Sequence, residues 1–85
     1  MPEPIRVDIY SRPGCHLCDV AKDVIETVRA RFPFELRVID VESDPQLESA
    51  YGTEIPVVLI NGNKAFKYRV DPREFENKVE RLWNR

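Results

Sequence analysis

Two cysteines, Cys15 and Cys18, stand three positions apart and are the only cysteines of the chain. A pair at this spacing can interconvert between two thiols and one disulfide, or it can bind a metal ion together with further ligands. A structural zinc site needs two more ligands, and the only histidine, His16, stands between the cysteines, where it is poorly placed to join them around one ion. We therefore expect redox chemistry and no metal site.

The residues around the pair favour a reactive thiol at its first position. A loop ending in Pro-Gly precedes Cys15 and a helical pattern follows it, which places Cys15 at a predicted helix N-terminus. Unpaired backbone N–H groups and the helix dipole stabilise a thiolate there, and Arg12 and protonated His16 add positive charge. Cys15 is the predicted nucleophile and Cys18 the predicted resolving thiol. His16 either tunes the redox potential or is simply solvated.

A strand, a helix and a second strand position the pair. Alternating apolar residues from Ile5 to Tyr10 predict the first strand, and residues 34–41 form a second strand-like segment, parallel to the first. Cys18 is expected either to face inward with Val20 and Ala21 or to lie just beneath Cys15, and in both cases it is within reach of Cys15. The predicted apolar face of the helix between the strands consists of Leu17, Val20, Ala21, Val24, Ile25, Val28 and Phe32.

The second half of the chain predicts two more strands and two more helices. Asp44 precedes a proline and is typical of the start of a short helix, and the apolar run 57–60 predicts a buried strand. Asn61-Gly62 favours a tight hairpin into a strand at 65–69, and Asp71 can cap a final helix. The order βαβαββα indicates an α/β fold with a four-stranded mixed sheet and helices on both faces.

Composition is typical of a globular protein. The 85 residues are 42% hydrophobic and 33% charged, with a net charge of -2. This length suffices for one hydrophobic core, so we expect a single domain over residues 1–85. Basic residues are scattered among acidic ones and no apolar stretch reaches membrane-spanning length, which argues against nucleic-acid and membrane partners. The first residues lack the pattern of a secretory signal, and we expect a cytoplasmic location.

The chain resembles glutaredoxins, and more closely the short glutaredoxin-like proteins whose cysteine loop reads Ser-Arg-Pro-Gly-Cys-His-Leu-Cys. The resemblance extends from Ile5 to about Trp83. It is carried by the segment 9–13 before the cysteines, the segment 55–58 before the third strand, and the order of the elements. It implies the thioredoxin-like fold of the glutaredoxin type and a dithiol–disulfide oxidoreductase.

The resemblance also implies a substrate site beside the cysteines. Ile55-Pro56 is expected to be a cis peptide opposite Cys15, with the Ile55 backbone pairing with the substrate chain. Arg12 stands where glutaredoxins usually carry a lysine that meets a glutathione carboxylate, and Asp71 lies near the site for the other end of glutathione. Each has an alternative role, Arg12 as a solvated cation and Asp71 as a helix cap alone.

One departure from the family pattern bears directly on glutathione. The paired glycines expected before the last helix are replaced by Tyr68-Arg69-Val70, and such bulky side chains are expected to obstruct the ligand. Two partners therefore stay open: a disulfide-containing protein, and glutathione as co-substrate or in a mixed disulfide. No bound cofactor is expected. A separate reductant system must reduce the pair after each turnover, and we expect the protein to act as a monomer.

Asp8 has two interpretations. It is either a buried carboxylate that exchanges protons with Cys18, or a surface or ion-paired residue near Arg6. The charge of Arg6 on the same strand face favours the second interpretation.

Two functions from other classes are also compatible with the sequence. The first is a metal or iron–sulfur binding module that uses Cys15 with exogenous thiols at a dimer interface, and bound metal after purification would support it. The second is a redox-silent adaptor that binds a partner through the loop near Pro56. In that case Cys15→Ser would leave binding and cellular function unchanged.

Overall fold

Four strands and three α-helices make up the fold. The computed structural model describes residues 4–84, and the helices in this part of the chain are too short or too polar to cross a membrane. The predicted order of strands and helices is confirmed. The elements are β1 (Arg6–Ser11), α1 (His16–Arg29), β2 (Glu35–Asp40), a 3-10 turn (Val41–Ser43), α2 (Pro45–Tyr51), β3 (Val57–Ile60), β4 (Asn63–Lys67) and α3 (Pro72–Trp83).

The strands form one mixed sheet in the order β2-β1-β3-β4. β1 and β2 are parallel because α1 carries the chain back across the sheet, whereas β3 is antiparallel to β1 and β4 is antiparallel to β3. Tyr10 pairs with Val57, so the end of β1 lies beside the beginning of β3. We call the end of the sheet at which β1 and β2 finish and β3 begins the dithiol end, because Cys15 follows β1 there.

One face of the sheet is covered by α1 and α3, and we call it the helix-covered face. Val7 and Ile9 alternate onto it from β1 and are almost completely buried. A β-bulge opposite Val58 brings both Ala65 and Phe66 of β4 against the same core. The buried cluster on this face comprises Ile5, Val7, Ile9, Ala21, Ile25, Val28, Phe34, Val58, Ile60, Val70, Phe75 and Val79.

The opposite face carries charged side chains and is called here the ion-pair face. Asp8 alternates onto it from β1 and is only 4% exposed, because Arg37 of the neighbouring strand binds it through two hydrogen bonds of 2.9 and 3.3 Å. Towards the dithiol end, α2 covers this face. The Tyr51 ring of α2 stacks on Tyr10 with 4.3 Å between the centroids. Helices therefore lie on both faces of the sheet, as predicted.

Both shorter helices begin where their local sequence predicts. The Asp44 side chain accepts a hydrogen bond from the backbone N–H of the second residue of α2, and the Asp71 side chain accepts one from Glu74 in α3. A proline at the first helical position follows each cap, where its missing N–H costs no hydrogen bond. Local chemistry alone fixes these two helix starts.

Two residues of α1 correct the predicted helix face. Leu17 and Val20 were expected among the apolar core positions, but they are 44% and 47% exposed. Each precedes a buried residue, Cys18 or Ala21, by one position and therefore points about 100° away from it around the helix. Cys18 and Ala21 face inward as expected, whereas Val20 does not.

β4 also begins and ends earlier than the predicted span 65–69. Asn61 and Gly62 adopt positive φ values of 52° and 83°, so the tight turn returns the chain to the sheet already at Asn63. The strand ends after Lys67 because Tyr68 has a φ of 69°, in the left-handed region, which interrupts an extended backbone.

Candidate active site

A tight turn connects β1 to α1 and sets the position of the first cysteine. The Cys15 N–H donates a hydrogen bond to the Arg12 carbonyl at 3.3 Å, which closes a four-residue turn. Gly14 occupies the third position with φ of 77°, the conformation that a type II turn requires after a proline. No atom lies within 4 Å of where a Gly14 side chain would begin, so the space above this residue is open.

Cys15 is the N-cap residue of α1. Its backbone is extended, and its Sγ accepts a hydrogen bond of 3.2 Å from the Cys18 N–H. The two cysteines are joined in a disulfide with 5.2 Å between their Cα atoms. Cys18 is 5% exposed, whereas Cys15 is half-buried. Cys15 is therefore the more exposed of the two residues, and it lies where helical N–H groups stabilise negative charge.

His16 is the first residue of α1 and is exposed to solvent. Its position next to Cys15 is compatible with both of its predicted roles, a redox-tuning cation and a solvated side chain. Asp19 stands in the first turn of the same helix. Near the helix N-terminus this carboxylate interacts favourably with the dipole, and it adds negative charge close to the cysteines.

A cavity of about 280 Å³ lies beside Cys18, between the first turn of α1 and the ends of β1 and β2. Four charged side chains line it: Arg12, Asp19, Lys22 and Asp40. The buried residue Cys18 therefore borders a cavity that is lined in part by charged side chains.

Arg12 is not a free cation. Its Nη2 donates to Glu48 Oε1 at 2.6 Å and to the Gly52 carbonyl at 2.8 Å, and its Nη1 lies 3.7 Å from Glu42 Oε2. A Cβ at Gly52 would collide with the Glu48 carboxylate, so the glycine leaves room for this contact. The side chain predicted to bind a substrate carboxylate, or to be solvated, already has two carboxylate partners within the chain.

The Ile55-Pro56 peptide is cis, as the family resemblance implied. It lies directly before β3 at the dithiol end of the sheet. The Tyr68 N–H donates to the Pro56 carbonyl at 2.9 Å, which joins the segment before α3 to this loop. Tyr68 itself is 47% exposed. The structure thus brings Pro56 and Tyr68 together.

Asp71, predicted both as a ligand contact and as a helix cap, is the N-cap of α3, with its carboxylate 2.9 Å from the Glu74 backbone nitrogen.

Asp8 lies on the ion-pair face, whereas α1 and Cys18 lie on the helix-covered side of the sheet. Its strongest partner is Arg37, and Arg6 is more distant at 3.9 Å. The hydrogen bond and the charge of Asp8 raise the pKa of Arg37. The ion-paired interpretation is confirmed, although Asp8 is buried rather than on the surface. Proton exchange with Cys18 has no geometric support.

Tyr10 lies beside Asp8 on the same face, under α2. Burial raises the pKa of the Tyr10 hydroxyl, and the neighbouring Tyr51 contributes in the same direction. The tyrosine is therefore neutral over the range in which cysteine thiols titrate.

Among residues 4–84, no three histidine, cysteine, aspartate or glutamate side chains are grouped so that they could hold a metal ion. This finding does not test the metal-binding alternative, whose further ligands would be exogenous thiols at a dimer interface.

Two features of the site have no local signal in the amino-acid sequence. Glu48 stands 36 residues from Arg12, and no local pattern links them. Tyr68 was noted for its bulk, but a left-handed backbone is so uncommon for tyrosine that nothing in its sequence predicted it.

Comparison with known proteins places the chain in a family. The profile of the "Glutaredoxin-like domain (DUF836)" matches residues 6–80. The chain is 34% identical over 73 residues to the "Glutaredoxin-like protein YDR286C homolog" of Dictyostelium discoideum, covering 79% of this chain and 68% of that protein. It is 32% identical over 65 residues to a thioredoxin of Methanocaldococcus jannaschii, covering 73% of this chain and 76% of that protein.

A solved structure shows the same fold. Thioredoxin 1 from Thermosipho africanus superposes with a TM-score of 0.67 at 20% identity, covering 93% of this chain and 94% of the other, a likeness of fold. A vicinal cysteine pair on this fold supports thiol redox chemistry at the level of the family. The chain therefore has the thioredoxin fold and belongs to the glutaredoxin-like family.

Proposed function

We propose that this protein is a dithiol–disulfide oxidoreductase that reduces or exchanges disulfides through Cys15 and Cys18. The observation that carries the proposal is the position of Cys15 as the N-cap of α1, disulfide-bonded to a buried Cys18 one turn later. An accessible sulfur at a helix N-terminus is a stabilised thiolate when reduced, and the thiolate is the nucleophile of disulfide exchange.

The reaction runs in two displacements. The Cys15 thiolate attacks one sulfur of a substrate disulfide, the substrate S–S bond breaks, and the released thiolate takes a proton from solvent. Cys18 then loses its proton and attacks the Cys15 sulfur, which releases the second substrate thiolate. The substrate gains two electrons and becomes a dithiol, while the pair ends as the Cys15–Cys18 disulfide. An external thiol system returns the pair to its reduced state.

The substrate segment is proposed to lie along Ile55-Pro56, pairing with the Ile55 backbone. The open space above Gly14 and the exposed side chains of Leu17 and Tyr68 at the same end of the molecule support this placement. Apolar side chains that flank a reactive sulfur favour an extended protein segment as substrate. The external reductant is either glutathione or a thioredoxin reductase system, and a reducing compartment such as the cytoplasm suits both.

To test the proposal, a labelled peptide disulfide is mixed with the reduced protein, and the release of peptide thiol is measured. Wild type is compared with Cys15→Ser and Cys18→Ser. Wild type is expected to release peptide thiol and to end as an intramolecular disulfide. Cys18→Ser is expected to accumulate a mixed disulfide at Cys15, detected by mass, because its resolving thiol is missing. Cys15→Ser is expected to be inactive. An unchanged cellular function of Cys15→Ser would instead support the redox-silent adaptor.

A second measurement identifies the reductant. The oxidised wild type is incubated with glutathione or with a thioredoxin reductase system, and the free thiols are counted over time. Reduction by glutathione supports the glutaredoxin route, whereas selective reduction by the reductase supports the thioredoxin route. If neither these systems nor dithiothreitol forms a reversible dithiol, the oxidoreductase proposal is wrong.

A further inference from the structure

We propose that the dithiol site selects thiols by charge, so that anionic thiols such as glutathione react poorly and neutral or cationic thiols are favoured. This inference rests on the proposed function and concerns its substrate class. It begins with Arg12, whose guanidinium is occupied by the chain's own Glu48 and Glu42. A substrate carboxylate would have to displace Glu48 before it could bind Arg12.

A further hydrogen bond holds Arg12 beside Glu48. Arg12 also donates to the Gly52 carbonyl, so its guanidinium is fixed by backbone as well as by side chains. Oxygen Oε2 of Glu48 is buried and has no hydrogen-bond partner among residues 4–84. The other oxygen of the same carboxylate, Oε1, lies 2.6 Å from the Arg12 guanidinium, so two opposite charges are in direct contact. Glu48 therefore offsets the charge of Arg12 within the fold.

The other charged side chains of the site are of both signs, but carboxylates outnumber cations among them. The cavity beside Cys18 contributes Lys22, which is cationic, and Asp19 and Asp40, which are anionic. Together with Arg12 and its two glutamates, the described residues around the cysteines include two cations and four carboxylates. A thiolate that carries an additional carboxylate is therefore repelled by these side chains more strongly than a thiolate whose charge is offset by an ammonium group.

Substitution of Glu48 isolates this effect. Glu48→Gln keeps an oxygen that can accept from Arg12 and removes one negative charge. Oxidised wild type and variant are each reduced by mercaptoacetate, 2-mercaptoethanol, cysteamine and glutathione in turn, quenched with iodoacetamide and assayed by mass for free cysteines. The ratio of variant to wild-type rate is taken for each thiol, which cancels the intrinsic reactivity of that thiol.

The net charge of each attacking thiolate sets the size of the expected change. At low ionic strength, Glu48→Gln is expected to raise the rates with mercaptoacetate and glutathione, whose thiolates carry an additional negative charge, about two- to threefold. The rate with 2-mercaptoethanol, whose thiolate has a single negative charge, is expected to rise by a smaller factor. The rate with cysteamine, whose ammonium group offsets its thiolate, is expected to stay unchanged. All differences should shrink at high salt, because mobile ions screen the field.

A matched variant controls for general loss of charge. Glu26→Gln likewise removes a carboxylate paired with an arginine, Arg29. Glu26 lies on α1 about 16 Å further along the helix axis than Cys15. The variant is expected to leave all four rates unchanged. If Glu48→Gln alters all four rates by one common factor, or fails to raise the rate with mercaptoacetate, charge selection is wrong. If the wild-type disulfide is reduced by none of the thiols, the proposed function itself fails.

Discussion

The two faces of the sheet are held together by different interactions. On the helix-covered face, α1 and α3 enclose apolar side chains, and Phe75 and Ile25 are completely buried. On the ion-pair face, α2 covers the dithiol end, while Asp8 is enclosed by the side chain of Arg37, itself 61% exposed. Neighbouring residues of β1, such as Val7 and Asp8, thus enter an apolar core on one face and an ion pair on the other.

This difference indicates where the stability of the protein lies and what can change it. Apolar burial scales with the surface removed from water and depends little on pH. Ion pairs with an exposed partner contribute less, and they respond to pH and salt. We therefore expect substitutions on the helix-covered face to cost several times more free energy than those on the ion-pair face.

The largest effect is expected for Phe75→Ala. The Phe75 ring packs edge-on against Phe34 and in a tilted arrangement against Phe66, and it has no exposed surface. Truncation leaves a cavity in the core and should lower the free energy of unfolding by about 3–5 kcal/mol. Urea denaturation followed by circular dichroism measures this change. Trp83→Ala, which removes a larger ring that is 46% exposed, is the control and should cost much less. Equal losses of stability for the two variants would contradict the conclusion that buried apolar surface stabilises this face.

The next effect is expected for Asp8→Asn on the ion-pair face. The variant keeps the shape of the side chain but loses the charge-assisted hydrogen bonds from Arg37, and it should cost about 1–2 kcal/mol. The loss is limited because Arg37 can return to water. A double-mutant cycle with Arg37→Gln measures the coupling directly, and a coupling energy of zero would show that the pair does not stabilise this face.

Asp8→Asn also tests whether the two faces are chemically independent. Because Asp8 lies on the face away from α1, the rate of disulfide exchange and its pH dependence are expected to match wild type. A shifted pH profile in this variant would revive proton transfer between Asp8 and Cys18.

A smaller effect is expected at Tyr68, where the chain leaves the end of β4 and then enters the apolar core at Val70. The left-handed backbone of Tyr68 is unfavourable for any residue with a Cβ, whereas glycine adopts it readily. Tyr68→Gly is therefore expected to be more stable than Tyr68→Ala by about 1 kcal/mol, since both lose the ring but only glycine relieves the backbone. Thermal unfolding of the two variants makes the measurement, and a less stable glycine variant would contradict it.

The smallest effect is expected for Glu54→Gln and depends on pH. Hydrogen bonds from Lys64 and Lys67 lower the pKa of the Glu54 carboxyl below its usual 4.5. The charged form is thus favoured in the folded state, and the resulting stability is present above pH 4.5 and is lost as the pH falls through the folded-state pKa. Wild type should exceed the variant in stability at pH 7, and the difference should vanish in acid. A difference that is constant from pH 7 to pH 3 would exclude this linkage.

The sequence predicted those parts of the structure that depend on neighbouring residues. The caps Asp44 and Asp71 and the turn at Asn61-Gly62 each act within three positions, so their residue types define the local backbone. The helix-end position of Cys15 followed from the change from strand to helix periodicity. These features fix the fold and the place of the dithiol.

Contacts between distant segments were not predictable in the same way. Asp8 meets Arg37 only because β1 and β2 pair in one particular register, and Arg12 meets Glu48 only after α2 docks beside the turn. A single sequence contains no measure of register or docking. The cis bond before Pro56 was expected from family resemblance, since proline at a strand start is equally compatible with a trans bond.

The Cys15 sulfur has two roles, because the atom proposed to react with substrate also accepts the hydrogen bond from the Cys18 N–H that caps the first turn of α1. A charged sulfur accepts that bond more strongly than a neutral one. Loosening of the first turn, even by a substitution remote from any substrate, would therefore change the equilibrium between dithiol and disulfide. Helical order at residue 15 and the reduction potential of the pair are therefore thermodynamically linked, and a change in either can be detected through the other, by calorimetry or by electrochemistry.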